Sequence, residues 1–275
     1  MTATPTPPAA PRRVALMITC LADMFYPEVG ERIVGLLRRL GVEVTLPAGQ
    51  TCCGLPLFNS GYHAEAAAVA RRTVAVFRDA DAVVVPSGSC AWMVKHEYPG
   101  LLRGTPEAPA EAHDAERLAE RTWEFSQFLV RALERTEFES AVEGPLAYHD
   151  SCHLLRGLHE GESPRVLLRH LKGAAAVPLP GSDECCGFGG SFSVRLPEVS
   201  TAILDKKLAN LEASGARCLV ACDAGCLMQI RGGLLRRNSP LRALHLAEVL
   251  EMTRRDDSPT VGRRSPAQAP RRQIQ

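Results

Sequence analysis

The sequence carries almost no net charge, few aromatic residues and no long apolar run. Its 32 basic and 31 acidic side chains leave a formal charge of +1. That balance removes any global electrostatic reason to bind nucleic acid or an anionic membrane. Aromatics make up only 5% of the chain. No stretch approaches the roughly 18 apolar residues that a membrane span requires. Residues 1–13 are rich in Thr, Pro and Ala and lack the apolar segment and small-residue cleavage site of a secretory leader. The expected compartment is therefore the cytoplasm. A hydrophobic content of 45% excludes wholesale disorder, and 275 residues suit about two domains.

Against these absences stand ten cysteines. In a reducing compartment, clustered cysteines point to metal binding or catalysis rather than to disulfides. Their spacing is duplicated. Cys-Cys-Gly occurs at 52–54 and again at 185–187. Cys20 precedes the first doublet by 32 residues and Cys152 precedes the second by 33. Cys90 follows Cys53 by 37 residues, and Cys226 follows Cys186 by 40. Cys218 and Cys222 have no counterpart in the first half.

Each half reads as alternating strand and helix. In the first, strands are expected at Arg13–Thr19, Val42–Leu46 and Ala82–Val85, and helices at Pro27–Leu40, Gly61–Ala80 and Ala91–Glu97. A linker at Leu102–Glu111 leads to a long bridging helix, His113–Glu134. In the second half, strands are expected at Leu146–His149, Ala175–Leu179 and Cys218–Ala221. Helices follow at Ser163–Leu171, Pro197–Ser214, Leu227–Leu235 and Leu241–Thr253. The expected division is a disordered N-terminal tail (1–12), a first lobe (13–102), a linker and bridging helix (103–144), a second lobe (145–253) and a disordered basic tail (254–275).

This alternation implies an α/β fold with parallel sheets and flanking helices, in which ligands sit beyond the carboxyl ends of the strands. Cys20, Cys52, Cys53 and Cys90 each follow a strand, so three strand ends can bring four thiols together. Cys152, Cys185, Cys186 and Cys226 repeat the arrangement. Adjacent side chains in a strand point to opposite faces, so a doublet that ligates one group needs a bent loop, which the following glycine permits. Four thiols suit an iron–sulfur cluster or a zinc ion. The long spacings favour the larger inorganic body, with zinc, thiol/disulfide chemistry and inert cysteine as the other readings.

The twice-repeated pattern resembles the cysteine-rich (CCG) domain family, which includes subunits of heterodisulfide reductase and glycolate oxidase. Within it, the chain is most similar to the lactate-utilisation protein A family. The supporting strings are Tyr148-His149-Asp150-Ser151-Cys152-His153, Cys185-Cys186-Gly187-Phe188-Gly189-Gly190-Ser191-Phe192-Ser193, Asp223-Ala224-Gly225-Cys226-Leu227-Met228 and His245-Leu246-Ala247-Glu248-Val249-Leu250. The resemblance implies two pseudo-twofold-related, Rossmann-like lobes holding one or two iron–sulfur clusters of the 4Fe–4S kind, with zinc in one lobe as an alternative. It implies an oxidoreductase subunit that transfers electrons while L-lactate is oxidised to pyruvate. The implied partners are sister subunits, a ferredoxin-like iron–sulfur protein and a third subunit. A heterodisulfide-reductase-like or glycolate-oxidase-like redox subunit and a non-redox, zinc-stabilised assembly module are the rival readings. The heterodisulfide reductase pattern has a fifth cysteine three residues before the last one. Here those positions hold Ser87 and Asp223, and Cys222 lies one residue off register as a substitute ligand.

Beside the thiols, His149 and His153 are read as donors to cluster sulfur or as proton relays, against a backbone-satisfied alternative. Asp150 is weighed in the same way. Cys218 is expected to be a small buried hydrophobe. Arg156 and Arg195 could clamp a carboxylate, with surface ion pairing as the alternative. No residue is assigned a catalytic role.

Overall fold

A computed structural model describes residues 11–104 and 108–252. The expected terminal tails fall outside these residues, apart from Pro11 and Arg12. The α/β expectation is borne out: there are two four-stranded, all-parallel sheets with flanking helices. The first contains β1 (Arg13–Leu16), β2 (Glu43–Thr45), β3 (Val83–Val85) and β4 (Thr122–Glu124), in the order β2-β1-β3-β4. The second contains β5 (Ala141–Tyr148), β6 (Lys172–Ala176), β7 (Cys218–Ala221) and β8 (Arg242–His245), in the order β6-β5-β7-β8. The two orders are the same, so the duplication seen in the cysteines extends to the topology. In each sheet the winding reverses between the first and third strands, where α/β sheets place their ligands.

Two expected helices turn out to contain the fourth strands. The segment expected as the helix His113–Glu134 is instead a helix Ala108–Glu120, then β4, then a helical segment from Phe125. The expected last helix Leu241–Thr253 begins with β8, and only Leu246–Leu250 is helical. Each short strand runs directly into a capped helix. The Glu124 carboxylate accepts from the Ser126 and Gln127 amides, and His245 Nδ1 accepts from the Ala247 amide at 3.1 Å. These caps satisfy orphan N–H groups of the first helical turn without an intervening loop. An apolar strand of three or four residues then merges with the helical pattern that follows it.

The segment after each fourth strand packs on the other lobe. Phe125–Gln127 contacts the helix Glu162–Arg169, and Leu246–Leu250 contacts the helix Pro27–Arg39. An ion pair accompanies each exchange: Arg131 with Glu160 at 2.7 Å, and Arg39 with Glu251. One hydrophobic core is therefore common to both lobes, with Leu16, Ile33 and Val84 beside Leu146, Val220 and Leu246. Separate cores cover the outer face of each sheet.

The lobes also meet at two helix starts. Asp223 Oδ1 accepts from the Gly225 and Cys226 amides at 3.0 and 3.4 Å, capping the helix Ala224–Arg236. Its Oδ2 accepts from Ser87 Oγ at 2.9 Å and from the Ser89 amide at 3.0 Å, at the start of the helix Gly88–Trp92 in the first lobe. The Gly88 amide donates to the Cys222 carbonyl at 3.2 Å. A Cβ on Gly88 would lie 2.6 Å from Leu154 Cβ, so only glycine lets the lobes approach this closely. Asp223→Ala removes a helix cap and the two inter-lobe bonds to Ser87 and Ser89 together. It is expected to destabilise the fold by about 1–3 kcal/mol in urea unfolding; an unchanged midpoint would contradict this role.

Candidate metal centre

The carboxyl ends of the strands converge on one cavity of about 180 Å³ between the lobes. Its lining includes Cys20, Cys52, Cys53 and Cys90 from the first lobe and Cys152, Cys185, Cys186 and Cys226 from the second. All eight thiols assigned from spacing are thus brought together, and the two sets open into one cleft.

The local build is the same in each lobe. The first cysteine sits at the start of a helical segment, Cys20–Phe25 in one lobe and just before His153–Gly157 in the other. The doublet lies in the loop after the second strand. The glycine that follows it has positive φ, +85° at Gly54 and +88° at Gly187. This conformation turns its amide onto the first sulfur of the doublet: Gly54 N–H to Cys52 Sγ at 3.5 Å, and Gly187 N–H to Cys185 Sγ at 3.3 Å. The last cysteine is the third residue of the helix after the third strand. Cys53 Sγ donates to Cys90 Sγ, and Cys186 Sγ to Cys226 Sγ, each at 3.3 Å.

These contacts polarise the thiols in a repeated order. The hydrogen bond from Cys20 holds Cys52 well below the ordinary thiol range, and the bond from Cys152 does the same for Cys185. Cys20 and Cys152, as donors to those anions, are pushed up. The hydrogen bond from Cys186 draws Cys226 down to about 6 against the effect of burial. Four sulfurs that already share protons form a donor set for a thiophilic cation, which binds by displacing those protons. The residues present therefore fit either an iron–sulfur cluster or zinc.

The other candidates separate clearly. His149 is 1% exposed, and one of its ring nitrogens lies within 4.8 Å of the Sγ atoms of Cys186 and Cys226. His153 lines the cavity, with Nδ1 3.6 Å from Cys152 Sγ and its ring 4.7 Å from that of Trp92. Burial lowers its pKa. Asp150 is held by Arg165 through two 2.6 Å contacts. Arg156 reaches the carbonyl of Asp183 at the surface, and Arg195 is exposed. Cys218 is buried in β7.

Cys222 is not placed with the other thiols. It is fully buried in the shared core, where the Tyr148 hydroxyl donates to its Sγ at 3.6 Å. Side chains alternate along a strand, so Cys218, Val220 and Cys222 face the shared core while Leu219 and Ala221 face the outer one. The two positions where a fifth cysteine would stand, Ser87 and Asp223, are hydrogen-bonded to each other.

One charged neighbour had no signal in the spacing. Lys207 is 1% exposed, and its ammonium donates to the Gly181 carbonyl while interacting with the nearby Cys186 and Cys226. A lysine inside the long helix Pro197–Ala213 looks like any solvated charge until the helix is docked.

The arrangement defines a class: the cysteine-rich domain, whose model matches residues 14–95 and 146–231, and the chain belongs to that family. Within it, the chain belongs to the lactate utilization protein A family. The protein of that name from Geobacillus kaustophilus is 47% identical over 238 residues, covering 86% of this chain and 98% of that protein. The Bacillus licheniformis protein is 46% identical over the same shares of each chain. A hypothetical protein from Helicobacter pylori shares the fold at 13% identity, with a TM-score of 0.61. That match covers 92% of this chain and about half (51%) of that one. No helix among the described residues is long and apolar enough to cross a membrane.

Two outcomes follow from this geometry. A Cβ on Gly187 would lie 2.5 Å from the Ser200 carbonyl oxygen, whereas one on Gly54 meets nothing closer than 3.4 Å. Gly187→Ala should therefore cost about 1–3 kcal/mol and lower metal content, and Gly54→Ala about 1 kcal/mol, by denaturation and metal analysis. In metal-free protein, alkylation of Cys52 and Cys185 should persist from pH 8 down to pH 6. An ordinary thiol slows about tenfold per unit below its pKa. Peptide mapping that finds Cys20 and Cys152 labelled as fast as these two would contradict the order of the pKa values.

Proposed function

We propose that this chain is a cytoplasmic iron–sulfur electron-transfer subunit of an L-lactate-oxidising system, working with sister subunits that include a ferredoxin-like protein. The observation that carries the reading is the convergence of two equivalent four-thiol sets on one cleft. The names of its relatives, lactate utilization protein A, support lactate as the metabolite served. Each thiol set would hold one 4Fe–4S cluster, and such a cluster supplies one-electron redox chemistry.

The chain's own residues supply the setting. Cys20, Cys52, Cys53 and Cys90 would hold one group, and Cys152, Cys185, Cys186 and Cys226 the other. The Gly54 and Gly187 amides donate to sulfur and stabilise its negative charge. The Lys207 ammonium, bonded to the Gly181 carbonyl, lies close enough to Cys186 and Cys226 to favour their negative charge. Apolar packing around Cys53, Cys90, Cys186 and Cys226 keeps water from the inner sulfurs. Placing both sets in one cleft gives electrons a short path between them. The bond between Ser87 and Asp223 occupies both fifth-cysteine positions, which disfavours a five-thiolate cluster and the heterodisulfide-reductase-like reading.

Anaerobic purification tests the proposal directly. Iron and acid-labile sulfide near four of each per thiol set are expected. Stoichiometric zinc without iron or sulfide would sink electron transfer and leave the zinc-stabilised assembly module. Deletion in a strain with no other lactate dehydrogenase should abolish growth on L-lactate, and normal growth would remove the lactate assignment.

A further inference from the structure

The residue just before the first cysteine of each set carries a hydroxyl, Thr19 in one lobe and Ser151 in the other. Both stand at a helix start. The Thr19 carbonyl accepts from the Asp23 amide and the Ser151 carbonyl from the Leu155 amide, each at 2.9 Å. A threonine or serine at this position ordinarily turns its hydroxyl oxygen to an amide of the first helical turn. Neither does so here. Thr19 makes no side-chain capping bond, and Thr19 Oγ1 and Ser151 Oγ are both buried without a hydrogen-bond partner.

The two residues are 3% and 2% exposed, and both line the cavity that receives the eight thiols. Neither hydroxyl oxygen is open to water. Its proton therefore goes to a neighbouring protein group or to what the cleft holds. Burying an unpaired hydroxyl is unfavourable, and the duplication does so twice at corresponding positions. A thiol is a weak acceptor. Holding a metal strips the thiols of their protons, and an iron–sulfur cluster adds inorganic sulfides. Both kinds of charged sulfur accept hydrogen bonds more strongly than a thiol does.

We propose that the Thr19 and Ser151 hydroxyls donate hydrogen bonds to the sulfur of the metal centre in their own lobe, bound thiolate or inorganic sulfide. This rests on the reading that each thiol set holds a metal centre. The two residues act on the metal through its sulfur and are not ligands. Each adds a side-chain donor to the backbone donor already present, the Gly54 or Gly187 amide. A hydrogen bond to sulfur strengthens as the sulfur gains charge. It therefore favours the reduced cluster and raises its potential. In the metal-free chain the same hydroxyl has nothing to bond and only disfavours folding.

Thr19→Val and Ser151→Ala each remove one hydroxyl, and the test reads them in both states of the full chain. Without metal, neither variant loses a bond, so its urea midpoint is expected to hold or rise. A midpoint that falls, or a chain that no longer folds, would reveal a bond within the protein and overturn the proposal. In holoprotein with unchanged iron and sulfide, Thr19→Val should lower the potential of one cluster and Ser151→Ala that of the other. Each reduction equilibrium should shift roughly tenfold, about 59 mV for one electron. Thr19→Ser and Ser151→Thr keep the hydroxyl and should keep the wild-type potentials. Potentials unmoved in Thr19→Val and Ser151→Ala would equally overturn the proposal. Zinc without iron or sulfide would end the electron-transfer reading and move this test to zinc affinity. A roughly tenfold loss in each of those two variants would then support the hydrogen bonds, and unchanged affinity would overturn them. A chain that binds no metal would defeat both readings.

Discussion

One carboxylate holds the cleft together. Asp223 caps its own helix with one oxygen and binds the start of the corresponding helix in the other lobe with the second. Those two helices carry Cys90 and Cys226 as their third residues, so the group that joins the lobes also sets the separation of their last thiols. A buried carboxylate is costly unless its oxygens are satisfied. Here two backbone amides of its own helix and an amide and a hydroxyl of the other lobe donate to it. The exchanged segments after β4 and β8 and the shared core reinforce the junction. The lobes are therefore two copies in sequence and one body in packing.

Duplication explains the frame, and its departures from symmetry carry the chemistry. Gly54 and Gly187, and the thiol pairs Cys53–Cys90 and Cys186–Cys226, match in conformation and distance. Ser87 and Asp223 occupy corresponding positions and are unlike, which is why they bond to each other. Met17 and His149, each three residues before the first cysteine of its set, are unlike too, and that difference falls directly on the thiols. Lys207 adds a buried positive charge to the second lobe. Two sets of four equal thiols thus stand in unequal surroundings.

Much of this was legible in the sequence because it is local or periodic. The cysteine spacing identified all eight cavity thiols, and strand–helix alternation identified the parallel sheets. The strands β4 and β8 were hidden because three or four apolar residues running into a capped helix share that helix's pattern. Cys222 looked like a ligand by counting along the chain, but strand alternation from Cys218 turns it into the shared core. The Ser87–Asp223 bond joins residues 136 apart in sequence, beyond any local signal. His149 was visible beside the motif, yet the direction of its ring depends on the Ser182 carbonyl in a later loop.

The locked junction has a consequence for how the protein matures. Lobes tied by Asp223, by Gly88 against Leu154 and by two exchanged segments cannot swing apart to admit a bulky guest. Among the cavity-lining residues, Pro56, Asn59, Cys185 and Gly189 are exposed and mark the way in. Just beyond them the Ser60 and Ser191 hydroxyls join the two rims at 2.8 Å. The folded chain is a mould with a narrow gate. If the thiols hold the proposed clusters, the narrow opening requires that these enter in small parts or be in place before the two lobes pack together.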